Sequence, residues 1–299
     1  MATYVFSDVH GHFRTLDRML GRVSPSADDR IFMLGDMIDR GPEPMAVVRC
    51  CHDLPNTTVL MGNHEDLMLS CYADPDDPAG FINWEINGAG PTRRGLRELP
   101  AEERVELARW MFTLPRYATV ELGGRWYLLV HAGIDPQRVP QHLPEVWDEA
   151  AIDEMMADQH PDDLMWIRED FWGAPSGLID ERGEGPIVIA GHTPTRYLDF
   201  MADRPDRPST DEDGLCRMVR VGACDETGGV ADRWDIDCGC AGGAGFGKLL
   251  MLRLDDGEEI YEPVREGEEA GQARPRSRYP RSPESSGSKR STRSKAPFS

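Results

Sequence analysis

Asp8 and His10 stand two residues apart in the segment SDVHG, where a strand end can project both side chains to the same side. A carboxylate and an imidazole so placed suit two ligands to one metal ion. Asp36, in GDMIDRG, brings two carboxylate oxygens and can bridge two cations. Asn63 in GNHE, His131 in HAG and His192 in GHT would complete a second site. Mixed Asp, Asn and His donors suit a borderline transition ion such as Mn, Fe or Zn better than Ca or a thiolate-seeking ion. Two such ions about 3.5–4 Å apart clamp an in-line displacement at phosphorus and activate a bridging water as nucleophile.

Those residues need a frame that gathers them. TYVFS, RIFML and TTVLM are short β-rich runs. HFRTLDRMLGRV, EPMAVVRCCHDL and NHEDLMLSCYA follow them, the first with apolar residues at the helical spacing of Phe13, Leu16, Met19, Leu20 and Val23. This β-α-β-α-β order predicts a parallel sheet buried by helices. RWYLLVHAG and PIVIAGHT read as further buried strands. CRMVRVG, RWDIDCG, KLLMLRL and EEIYEPV predict a second, more antiparallel sheet, and residues 144–172 a helical stretch. Each proposed donor block follows a strand, and ligand sites in open α/β sheets lie beyond the carboxyl ends of the strands.

The charge balance narrows the partners. The chain carries −20 overall, yet residues 273–299 hold eight Lys/Arg against one Glu, so residues 1–272 carry −27. Such a body repels nucleic-acid backbones, while a local cationic pocket for a small anion stays compatible with it. The basic Arg/Ser/Pro-rich tail lacks apolar residues and predicts disorder, with docking to an acidic partner as its functional alternative. Domain boundaries are expected at 1–264 and 265–299. No stretch is apolar enough to span a membrane and MATYVFSDVHG lacks a basic n-region, so a cytoplasmic location is expected. Seven cysteines without CxxC spacing read as free thiols.

Taken together, SDVHG, GDMIDRG, GNHE, HAG and GHT resemble the metal-binding blocks of the calcineurin-like metallophosphoesterases. The Arg-Gly after Asp39 resembles the phosphoprotein phosphatase branch of the bacterial and bacteriophage lambda type. That resemblance implies a four-layer α/β (α+β) sandwich of two packed mixed β-sheets flanked by helices. It assigns Asp8 and His10 to a first metal, Asp36 to the bridge, and Asn63, His131 and His192 to a second metal. It turns His64 towards substrate as proton donor to the leaving oxygen, oriented by Asp39, and gives phosphate binding to Arg40 and Arg168 with Asn63 and His64. A guanidinium grips phosphate bidentately as Lys cannot. The implied activity is serine/threonine, and also tyrosine, phosphomonoester hydrolysis with two divalent ions, Mn²⁺ first and Fe or Zn as alternatives. Its substrate would be a phosphorylated protein or a small phosphoester, with neither nucleic acid nor membrane as partner.

Symmetrical diadenosine tetraphosphate hydrolysis and a silent phosphate-binding scaffold are the alternatives; an acid at position 39 weighs towards phosphomonoesters. GGAGFGKL resembles a P-loop, but Leu249 replaces the magnesium-binding hydroxyl and a strand follows instead of a helix. His12 is expected as a surface or capping residue, Trp166 and Trp172 as core, Glu65 as a hydrogen-bonding support, and WEINGAGPT as structural.

Overall fold

A computed structural model describes residues 1–140, 142–201 and 208–268. The chain runs β1 (Thr3–Phe6), α1 (Phe13–Val23), β2 (Arg30–Met33), α2 (Pro44–Asp53), β3 (Thr57–Val59) and α3 (Asn63–Ala73). Three helices then lie outside the sheets: α4 (Pro78–Ile86), α5 (Gly90–Glu98) and α6 (Ala101–Met111). The second half gives β4 (Tyr117–Leu122), β5 (Arg125–Val130), α7 (Glu149–Ala157), α8 (Pro161–Trp166), α9 (Glu169–Trp172) and β6 (Ile187–Ala190). It closes with β7 (Val219–Val221), β8 (Arg233–Asp235), β9 (Lys248–Arg253) and β10 (Glu258–Pro263).

Alternation within the strands dictates the layers. Tyr4 and Phe6 pack against α1–α3 with Leu16, Met19, Val47, Val48 and Leu67, while Val5 between them faces the other way. Val5, Phe32, Leu250 and Leu252 of one sheet meet Val120, Leu129, Ile187 and Ile189 of the other. Leu128, Val130, Val188 and Ala190 turn outwards onto Ile152, Met155 and Phe171. Side chains of period 2 thus feed three apolar cores, giving helix, sheet, sheet and helix in four layers. Burying a side chain such as Leu16 or Met19 contributes about 1.5–3 kcal/mol.

The sheets are β10-β9-β1-β2-β3 and β4-β5-β6-β8-β7. β1, β2 and β3 are parallel, as expected, but β9 and β10 join them and not the second sheet. β9 lies antiparallel to β1, with Val5 opposite Leu252. KLLMLR is buried from Lys248 to Leu252, as a strand covered on both faces must be, but its local pattern does not reveal its neighbour. The second sheet is mixed, with β5, β6 and β8 parallel and β4 and β7 antiparallel edges. Residues 144–172 form three short helices, broken where Pro161 opens α8 and where Arg168 takes a non-helical conformation.

The fold also extends past the expected boundary at 264. Glu268 pairs with Arg18 and accepts from Thr15 Oγ1 at 3.2 Å and Arg265 N at 3.0 Å, which ties residues 265–268 to α1. The rest of the predicted tail, 269–299, lies outside the described residues, as do 202–207 of the acidic segment 199–214. Lys248 of the P-loop-like stretch opens β9, lies 2.5 Å from Asp211 and sits over the Tyr261 ring, so it is committed to structure. Among the described residues no helix is long and apolar enough to cross a membrane.

Candidate metal centre

The loops after β1, β2, β3, β5 and β6 converge at one end of the paired sheets. Among the described residues eight non-glycine positions have positive φ, and six of them are Asp8, His10, Asp36, Asp39, Arg40 and His192. Asp and His tolerate this region better than most residues, but Arg40 does not, and such conformations cost of the order of 1–3 kcal/mol each. The expected strand geometry for Asp8 and His10 is therefore corrected: β1 ends at Phe6, and a left-handed backbone aims both side chains. Gly62 and Gly191, next to the third-strand and sixth-strand donors, are fixed by crowding. A Cβ on Gly62 would strike Asp36, and one on Gly191 would strike Asp8 and Ser7.

Asp36 sits at the centre. His10 Nε2 lies 3.3 Å from its Oδ2 and His131 Nε2 lies 3.5 Å from its Oδ1. Asn63 Oδ1 is 2.9 Å from His131 Nε2 and 3.0 Å from His192 Nδ1. Asp8 Oδ1 is 4.0 Å from His10 Nε2, and Asp8 Oδ2 accepts from His192 N at 3.1 Å. Two groups of potential ligand atoms result, His10–Asp36–His64 and Asp36–His131–His192, each within 4.8 Å and sharing Asp36. The six residues predicted as ligands are thus brought together, all of them buried.

The donor chemistry fits cations. His10 Nδ1 donates to Ile38 O at 2.9 Å and His131 Nδ1 donates to Leu34 O at 2.7 Å, since a carbonyl can only accept. In the tautomer with that single proton on Nδ1, each ring turns an Nε2 lone pair inwards, the arrangement a metal requires. His131 Nε2 then faces the Asn63 carbonyl oxygen, an acceptor against an acceptor, which an intervening cation reconciles. Asp8 Oδ1 and His192 Nε2 are buried without a hydrogen-bond partner. Burial and neighbouring Asp36 push the Asp8 carboxyl up to about 8, and burial with Arg40 pulls His10 down to about 3. A buried cluster of acids and imidazoles with unsatisfied lone pairs is one that divalent ions would stabilise.

Beside it lies a buried histidine–aspartate pair. His64 Nδ1 is 2.7 Å from Asp39 Oδ2, while its Nε2 is 2.9 Å from Arg40 Nη2 and 3.9 Å from Asp36 Oδ2. Arg40 Nη1 reaches His10 Nε2 at 3.0 Å. Arg168 is solvent-exposed, donates to Thr193 Oγ1 at 3.1 Å, and has its basicity pulled down by partial desolvation despite Asp237, Asp8 and Asp36 nearby. Trp166, expected in the core, is instead 36% exposed, with its ring centroid 5.9 Å from that of His192 in a T-shaped arrangement. Trp172 is buried. His12, expected at the surface, is buried at the start of α1 and offers no side-chain cap.

The supporting shell was less legible. Glu65 accepts from Asp36 N, Met37 N and Gly62 N at 2.8, 2.9 and 3.1 Å, pinning the β2 loop to α3. Trp84 Nε1 donates to Asp39 Oδ2 at 2.9 Å and Thr92 Oγ1 to Asp39 Oδ1 at 2.5 Å, so WEINGAGPT holds the acid that holds His64. Asp235 and Asp237, at and just past the end of β8, were missed altogether. Burial pushes both carboxyls well above the usual range, Asp237 assisted by Asp8. The signal existed, since WDIDCG is one more acidic block at a strand end.

Back-to-back mixed sheets whose carboxyl ends gather a shared aspartate, a ring of histidines and two arginines are the arrangement that the metal-binding blocks of the calcineurin-like phosphoesterases imply. The calcineurin-like phosphoesterase pattern matches residues 1–225, and the chain belongs to that family, whose members hold divalent metal ions. The chain is 31% identical over 183 residues to a symmetrical bis(5'-nucleosyl)-tetraphosphatase of Dechloromonas aromatica, covering 60% of this chain and 59% of that relative. A relative of the same name from Pseudomonas fluorescens is 35% identical over 46% of this chain and 44% of its own length. The one from Azotobacter vinelandii is 26% identical over 86% and 95%. With the first of these, the chain thus spans little more than half the relative's length. A crystal structure of a provisionally assigned diadenosine tetraphosphatase shares the fold, with TM-score 0.54 at 17% identity, covering 89% of this chain and 94% of that one.

Proposed function

We propose that this chain hydrolyses phosphoesters at a dinuclear metal site, with symmetrical dinucleoside polyphosphates as the first substrate class. The single observation that carries the hydrolytic reading is Asp36, whose two oxygens face separate donor groups. The names of the relatives support the substrate class and move protein phosphatase activity to second place. Asp8 and His10 would hold one ion, Asn63, His131 and His192 the other, and Asp36 both. Bound divalent ions, of which Mn²⁺ is the first to test, would neutralise phosphate charge and lower the pKa of attacking water.

The remaining chemistry belongs to side chains. Arg40 and Arg168 bind phosphate oxygens from two sides, and Asn63 contributes a further polar contact. His64 Nε2, which accepts from Arg40 Nη2 here, would have to exchange that contact for a proton when phosphate engages Arg40, and would then pass the proton to the leaving oxygen while Asp39 accepts from Nδ1. Rates on diadenosine tetraphosphate and on a serine/threonine phosphopeptide, with Mn²⁺ supplied, test the order. A higher kcat/KM on the dinucleotide is expected; a higher value on the phosphopeptide reverses it. The Asp39–His64 pair favours that second reading, because strong acid catalysis matters most for the alkoxide leaving group of a phosphomonoester.

A further inference from the structure

Helices α4–α6 do more than hold Asp39. With the end of α3 they enclose a cavity of about 280 Å³, whose lining includes Tyr72, Phe81, Trp84, Arg93, Arg97 and Arg104. None of its lining residues is acidic, although residues 1–272 carry −27. Arg93 lies 4.6 Å over the Phe81 ring and is paired with Glu85. Among the described residues Arg97 makes no ion pair, and Arg104 makes a single long hydrogen bond, to Leu96 O at 3.3 Å. Two guanidiniums thus face a pocket without a carboxylate, beside rings that remain 45% exposed at Tyr72 and 39% at Phe81. Exposed aromatics next to unneutralised arginines offer stacking and charge-assisted hydrogen bonds to one molecule.

We propose that this cavity is a second ligand site, separate from the metal centre, for a nucleotide: a flat base carrying phosphate. Its volume stands at the lower bound of small-molecule pockets, about 300 Å³, which a nucleotide fills and a folded partner does not. The buried indole of Trp84 is the wall between the two sites. One face lines the cavity, and its Nε1 donates to Asp39 Oδ2. An occupant that shifts this ring changes the support of His64, so the cavity communicates with the acid pair. The inference stands whichever phosphoester the metal centre cleaves.

ADP is the probe, titrated calorimetrically into the full chain. Each lost charge-assisted contact reduces affinity about tenfold, so R97E/R104E weakens one binding component by about a hundredfold. Turnover of p-nitrophenyl phosphate without ADP stays at the wild-type rate in that variant, and R40A retains the component. ADP also alters the wild-type rate on p-nitrophenyl phosphate more than that of R97E/R104E. The milder R97Q/R104Q, compared with wild type by thermal unfolding, reports the same loss if charge reversal perturbs the helices. ADP affinity unchanged in both double variants, its complete loss in R40A, or tighter binding of phosphotyrosine than of ADP at this cavity overturns the proposal.

Discussion

Two buried aspartates, one on each side of the metal centre, have opposite surroundings. Asp39 receives hydrogen bonds from Trp84 Nε1 and Thr92 Oγ1 and pairs with His64. Asp235 accepts one hydrogen bond, from Asp237 N at 3.0 Å, and its Oδ2 has no partner. Both are fully buried. Donors decide what a buried carboxylate can do: one surrounded by them can carry charge and orient a base, whereas one lacking them is held protonated by desolvation. The side of the centre with Trp84 and Thr92 supplies the donors that the proposed proton transfer needs; the β8 side does not.

Substitutions test this contrast. Asp36→Asn stands outside it, since Asp36 is the residue proposed to hold both ions, and is expected to reduce turnover below detection and lower bound metal, read by kinetics and metal analysis. His64→Asn should lower kcat by about 10²–10⁴-fold with metal content retained, most severely on substrates with poor leaving groups. Asp39→Asn should cost about 10–100-fold, as expected of a partner acting through another residue. Trp84→Phe leaves one donor fewer on Asp39 and should lower kcat by about tenfold with KM little changed. Asp235→Asn should change kcat less than about twofold, because an amide closely replaces a protonated carboxyl. An Asp235→Asn enzyme as damaged as Asp39→Asn would erase the distinction between the two sides.

The smallest effect is on stability. Asp8 ionises near 3.8 when unfolded but is held to about 8 in the metal-free fold. The folded state therefore keeps a proton the unfolded state has released, and this group's contribution falls as pH rises from about 3.8 to about 8. Cations at the site remove that penalty. Thermal unfolding with and without Mn²⁺ should diverge as pH rises through that window; parallel curves would count against Asp8 as a ligand.

The same contrast shows what could be read from the chain. Asp8, His10, Asp36, Asn63, His131 and His192 were legible because each sits in a short polar block after an apolar run, and strand ends converge by topology. Arg168 was assigned by its place between two such blocks, not by any local periodicity. Trp84 and Thr92 act on Asp39 across 45 and 53 residues of sequence, and no local pattern encodes a contact of that span. The neighbour of β9 was unreadable for the same reason: pairing with β1 joins residues near opposite ends of the fold. Asp235 and Asp237 passed as strand residues because RWDIDCG alternates polar and apolar side chains, so its acids look like one face of a strand.

Anomalous diffraction from a Mn²⁺-soaked crystal addresses the centre itself. The expected map holds two peaks about 3.5–4 Å apart with Asp36 touching both, Asp8 and His10 on one, and Asn63, His131 and His192 on the other. One peak alone, or two with Asp36 bound to a single ion, contradicts a dinuclear centre and the hydrolysis built on it.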